Sequence, residues 1–199
     1  MNKCYSLLWA LTFCILSCNF TDRVDHLSGE YSYRPQMIES KTLTYRNKIY
    51  PRVTDYAFNE KFIIAEQKPN VEKTIPQLGE DLLRRYEAYD LYKKDNDILK
   101  DSFYKKYKGV VEKDSLFYNE FVRYGATADE SKNRIVSINI AEDFLKHDSV
   151  YLRIFNSKLN YWIIDHVSDS LIGPLTKEEY LAKRSALHIP EELKLQFEK

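Results

Sequence analysis

All three cysteines of the chain, Cys4, Cys14 and Cys18, fall within its first 18 residues, and everything after them is thiol-free. If the chain is cut just before Cys18, no disulfide can form within the mature body, which must then be held by packing. At 199 residues there is enough chain for one domain with a sizeable core. Hydrophobic residues at 44% and charged residues at 30% are ordinary globular usage, which excludes wholesale disorder and a multi-span membrane protein. Lys+Arg and Asp+Glu both number 30, so the positive field that draws proteins onto phosphate backbones is missing and nucleic acid is not an expected partner.

The position of Cys18 also suggests an address. Residues 1–3 supply a short positive start, and residues 4–17 are apolar or small without a charge. A spanning helix needs about 20 apolar residues, so this run reads as the core of a signal peptide covering residues 1–17. Ile15, Leu16 and Ser17 before Cys18 resemble the bacterial lipoprotein box, in which the cysteine thiol takes a diacylglycerol and the peptide is cut ahead of it. Each buried methylene contributes about 0.8 kcal/mol, so two or three acyl chains anchor stably where one does not. An ordinary secretory signal or an uncleaved anchor are the alternatives. Cys18 is therefore the expected lipidation site and membrane contact, with residues 18–26 as a tether. Asn19 is not the aspartate that retains lipoproteins at the inner membrane in the best-known sorting rule, so the expected location is the bacterial cell envelope, at the outer membrane.

Residues 27–199 read as a single α+β domain. "GEYSYR" and "TLTYR" suggest strands, and "PRVTDYAFNEKFIIAEQ" suggests a hairpin turning at Asn59-Glu60. Pro69 and Pro76 bracket an expected linker. Helical spacing then recurs at Leu82, Tyr86 and Tyr89 and at Leu99, Phe103 and Tyr107, predicting an inserted helical pair over about 78–108, broken at "DND". After Gly125, "NRIVSINI" alternates as a strand would, and the series from Ser149 to Leu175 reads as a three-stranded meander. Thr176 with Glu179 forms a capping box that starts a closing helix, which Pro190 stops. The expected architecture is an antiparallel β-sheet packed by a C-terminal helix, with the helical pair inserted.

"VTDYAFNEKFIIAEQ" and "YWIIDHVSDSLIGPLTKEEYLAKRSALHIP" together resemble a family of small, functionally uncharacterised bacterial envelope lipoproteins containing a domain of unknown function. That resemblance rests on structural motifs covering about a quarter of the chain. It implies a lipidated envelope protein of unknown role and carries over no active-site residue.

Local catalytic signatures are missing. The five glycines, Gly29, Gly79, Gly109, Gly125 and Gly173, are too scattered for a dinucleotide or phosphate-binding loop. His26, His147, His166 and His188 offer no local metal pair, and no cofactor or metal is expected. "DHVSDS" places Asp165, His166 and Ser168 side by side, but neighbours on a strand face opposite ways, so the run reads as a hairpin end. "DNDILKD" lacks the glycine and glutamate of a calcium loop. Tyrosine is abundant at sixteen residues, and Tyr86, Tyr89, Tyr92, Tyr104 and Tyr107 form a candidate binding surface. The same spacing also describes the edge of a buried stripe. The leading expectation is a non-catalytic binding or interaction module for an envelope protein or polymer. An envelope hydrolase with a site assembled from distant residues and a structural lipoprotein are the alternatives.

Overall fold

The computed structural model describes residues 24–27, 29, 31–34, 36–40, 48–94 and 115–199. Cys18, the strand expected over 42–46 and the second inserted helix lie outside these residues. Two four-stranded antiparallel sheets are present. The first runs β1 (Asp25–His26), β2 (Tyr31–Arg34), β3 (Met37–Ser40) and β4 (Lys48–Ile49), and the second β5 (Val53–Phe58), β6 (Phe62–Gln67), β7 (Asn160–Asp165) and β8 (Ser170–Leu175), each in chain order. Between β6 and β7 come α1 (Val71–Lys94), α2 (Ser115–Arg123), α3 (Glu130–His147) and α4 (Ser149–Asn156). After β8 come α5 (Lys177–Ala186) and a 3-10 turn at Gln196–Glu198. The protein is α+β with a helix closing its C-terminal part, as its sequence predicts.

The second sheet explains why "FIIA" and "YWII" are apolar without a break. Successive strand residues point to opposite faces, and both faces are covered. Phe62, Ile64, Tyr161 and Ile163 pack on Tyr180 of α5 and the segment beyond it. Ile63, Ala65, Trp162 and Ile164 point the other way, into the larger core shared with the first sheet and with α1, α3 and α4. Fully burying such side chains contributes roughly 1.5–3 kcal/mol each, so the paired strands β6 and β7 are a large source of stability. The hairpin turns are built as expected. Asn59 Oδ1 accepts the backbone N–H groups of Lys61 and Phe62, and Asp165 Oδ1 accepts those of Val167 and Ser168.

The capping box on α5 is present on both arms. Thr176 Oγ1 accepts from Glu179 N at 3.2 Å, and Glu179 Oε2 accepts from Thr176 N at 2.8 Å. Arg153 of α4 also pairs with that carboxylate at 2.7 Å. The Thr176 N–H first, and then the Arg153 guanidinium, hold the Glu179 carboxyl below its ordinary value of 4.5. A carboxyl depressed on folding stabilises the fold above its unfolded value, and that contribution is lost as pH falls through the folded one. Thermal melts of Glu179→Gln and the parent should therefore differ fully at neutral pH, begin to approach each other as the pH falls past 4.5, and converge only below the lower folded value. From the last turn of α5, Arg184 clamps the tail. Its guanidinium donates to the carbonyls of Leu193 and Pro190 and pairs with Glu198. Burial drives the neighbouring Tyr180 hydroxyl well above its usual range.

Three expectations are corrected. The segment between Pro69 and Pro76 is not a linker, because α1 starts at Val71 with Asn70 Oδ1 accepting from Lys73 N, and Pro76 lies inside the helix. A proline there costs about 3 kcal/mol, which the complete burial of Leu78, Leu82 and Leu83 outweighs. "NRIVSINI" is not a strand but the middle of α3. Its buried positions Asn133, Val136, Ser137, Ile140, Ala141 and Leu145 follow helical spacing, and Ile135 is left exposed. "SVYLRIF" is α4, capped by Asp148 and burying Tyr151 and Ile154 one turn apart. The three-stranded meander expected over Ser149–Leu175 is thereby reduced to the β7–β8 hairpin, and the other half of its sheet comes from β5 and β6. The described helices between β6 and β7 therefore begin at Val71, shortly before 78, and continue to Asn156, well past 108.

Candidate functional site

A cavity of about 400 Å³ opens where the β4 edge of the first sheet, strands β7 and β8 of the second, and the start of α4 converge. Small-molecule sites start at roughly this size. Tyr50, Tyr151, Ile154, Trp162 and Leu171 supply apolar walls, with Gly173 beside Trp162. The Tyr50 and Tyr151 rings stand 6.5 Å apart at a tilt. Lys48, Asp148 and Ser149 bring the charged and hydroxyl groups.

The polar side is rigidly built. Lys48 and Tyr50 are two residues apart, so an extended backbone sends both toward α1. Asp81 on α1 takes one with each carboxylate oxygen: Lys48 Nζ lies 2.6 Å from Oδ1, and the Tyr50 hydroxyl donates to Oδ2 at 2.9 Å. Glu39, directly opposite Lys48 across the β3–β4 pair, is 3.4 Å from the same ammonium and is also paired with Arg34. The side chains of Lys48 and Asp81 are only 10% and 12% exposed, so removing either partner strands a charge away from water, a far costlier change than breaking a surface pair. An ammonium has three N–H donors, and these two carboxylates engage two of them. Among the described residues the third N–H has no carboxylate partner. Across the cavity, Asp148 Oδ1 accepts from Val150 N at 2.8 Å and Tyr151 N at 3.4 Å. The start of α4 is thus already satisfied by its own carboxylate, and an incoming anion would meet that charge rather than open N–H groups.

The arrangement can hold a small, largely uncharged molecule with an apolar face and a hydrogen-bonding edge. Its one lining cation is compensated, and none of the four histidines lines it. His26, His147 and His188 are exposed at separate places. His166 sits at the β7–β8 turn, its backbone N–H donating to Lys61 O. The rest of that turn is structural: Asp169 accepts from Tyr31, tying the first sheet to the turn, and Ser168 bonds Ser170. Among the described residues no group of three His, Cys, Asp or Glu side chains is placed to hold a metal ion.

Tyr86 and Tyr89 are 6% and 9% exposed and do not form an open surface. Tyr86 stacks on Phe121 and Tyr118, and Tyr89 leans on Tyr118, which fastens α1 to α2. The side chain of Tyr92, together with Tyr104, Tyr107 and Cys18, lies outside the described residues. The cavity residues give no joint signal in the sequence because they come from the end of β4, from α4 and its cap, and from β7 and β8. The one local signal is the Lys48/Tyr50 pair on one strand face beside the Asp148 cap.

The family model "Protein of unknown function (DUF3997)" matches residues 132–198. The matched stretch runs from the first turn of α3 to the 3-10 turn at Gln196–Glu198. "YWIID", "GPL" and the closing helix lie inside it, and the β5–β6 hairpin lies outside. No curated protein and no solved structure matches the chain.

Proposed function

We propose that the protein is a lipoprotein of the bacterial cell envelope, anchored at the outer membrane through acylated Cys18, whose folded body is a non-catalytic binding module. The observation that carries the binding half is the cavity. Its charged groups are held in ion pairs and a helix cap and none of the four histidines lines it, a constellation suited to orienting a ligand rather than transforming it. The lipoprotein-box resemblance at residues 15–18 supports the anchoring half.

Each half has its own test. Cells fed labelled palmitate should label the parent, which pellets with membranes, whereas Cys18→Ser should take no label and stay in the supernatant. Equal pelleting of both, without label in either, ends the lipoprotein reading. For the binding half, native mass spectrometry of protein purified from its own host should show an adduct below about 500 Da, within the range a cavity of this size encloses. Ser149→Trp, at the exposed rim, should abolish the adduct without changing the melting temperature. Turnover of that molecule by the parent would replace the binding reading with the hydrolase alternative.

A further inference from the structure

The C-terminal end of α4 borders a second concave surface, lined by Phe155 where the cavity is lined by the preceding Ile154. Two adjoining pits share Val71 and Phe155 as a saddle. The larger, about 470 Å³, is walled by Pro69 and Leu159 beyond the saddle and rimmed by Lys68 and Lys158. The smaller, about 260 Å³, is floored by Ile75 and Leu145, with Glu142 and Lys146 at its edge. Val71 is 45% exposed and Leu159 41%, so real apolar surface faces water.

The charges at the rim have one sign once internal pairs are counted. Glu142 and Lys146 face each other at 3.7 Å. Among the described residues Lys68 and Lys158, both exposed, have no carboxylate partner. They flank the pit that holds the most exposed apolar side chains. A bilayer is met by apolar side chains that protrude, whereas here the apolar atoms lie in depressions, a shape that receives side chains from a partner. Two pits separated by a saddle suit two apolar residues on one helix turn, which lie about 5–6 Å apart at three-residue or four-residue spacing.

We infer that this surface docks an acidic amphipathic segment of another protein, which seats two apolar side chains astride Val71 and Phe155 and sets carboxylates against Lys68 and Lys158. The surface shares no lining residue with the cavity, and the inference stands whether or not the cavity binds a ligand.

The test is photo-crosslinking in cells producing the full chain, with p-benzoylphenylalanine in place of Val71 and, as control, in place of Leu152, which is exposed on α4 outside both pits. The Val71 probe should yield an adduct that mass spectrometry maps to an acidic segment with two apolar residues three or four apart. In the Lys68→Glu, Lys158→Glu background the adduct should fall at least about tenfold, as like-charge juxtaposition requires. Adduct on the parent background should also weaken when lysed envelopes are moved from about 0.05 to about 0.5 M NaCl, a readout that does not depend on the reversal variant folding. The inference is overturned by no adduct above the Leu152 control, by an adduct to lipid or to a second copy of this chain, or by a segment that is basic or neutral. A salt-insensitive adduct overturns it as well.

Discussion

Replacing Gln67 by alanine is expected to lower the unfolding free energy by about 4 kcal/mol, a large share of the roughly 5–15 kcal/mol that holds a domain together. Gln67 ends β6 and is 1% exposed. Its Nε2 donates to the Tyr50 carbonyl at 2.8 Å, and its Oε1 accepts from Trp162 Nε1 at 2.9 Å and from Asn160 Nδ2 at 3.2 Å. Asn160 in turn donates to the Ile154 carbonyl at 3.0 Å. One side chain therefore joins the β4–β5 connection, β7 and the last turn of α4. Alanine removes the amide, and with it the bonds to the Tyr50 carbonyl and the Trp162 indole N–H. Each such bond lost from a buried polar group costs about 1–3 kcal/mol, and the vacated volume adds a cavity term. Urea unfolding followed by Trp162 emission checks the value. A loss below about 1 kcal/mol would show that the network is incidental to stability. Because Tyr50 and Trp162 also wall the candidate cavity, the variant should weaken any ligand adduct as well.

The strands of the second sheet and α5 are legible in the sequence because each is specified by neighbouring residues. Asn59 and Asp165 make their turns with N–H groups two and three positions on, and Thr176 and Glu179 cap within a single turn. The helices α3 and α4 are not legible, for an equally definite reason. The buried stripe of α3 includes Asn133 and Ser137, polar residues that break the apolar period. Both are satisfied locally, Asn133 by two bonds to the Thr127 backbone and Ser137 by the Arg134 carbonyl. What remains visible, Val136, Ile138 and Ile140 with polar residues between, has the period of a strand. Pro76 misleads in the opposite direction, since a breaker inside a helix is tolerated only when tertiary burial outweighs it. The candidate site is least legible of all. Asp81 meets Lys48 and Tyr50 across 33 and 31 residues of chain, and no local spacing reports such a meeting.

Gly173→Ala is expected to cost a similar amount, about 4 kcal/mol, and to do so through one aromatic ring. Gly173 has φ +147°, a conformation side-chain-bearing residues rarely adopt. A Cβ there would lie 2.8 Å from Trp162 Cδ2 and closer still to Cε3. Neither side can give way easily. Gly173 lies within β8, where the pairing with β7 is irregular between Tyr161 and Ile163, and the Trp162 indole is tied to Gln67 and enclosed by core. Overpacking of this kind costs about 1–3 kcal/mol and a strained backbone another 1–3 kcal/mol. Gly125→Ala separates the two contributions, since Gly125 has φ +90° with open space where the methyl would go. It should lose only the backbone share, and its Trp162 emission should match the parent. If Gly173→Ala melts no lower than Gly125→Ala, the ring contact contributes nothing. If it melts well below, the flush fit of glycine against indole is what shapes that wall of the cavity, and ligand binding should fall in Gly173→Ala while surviving in Gly125→Ala.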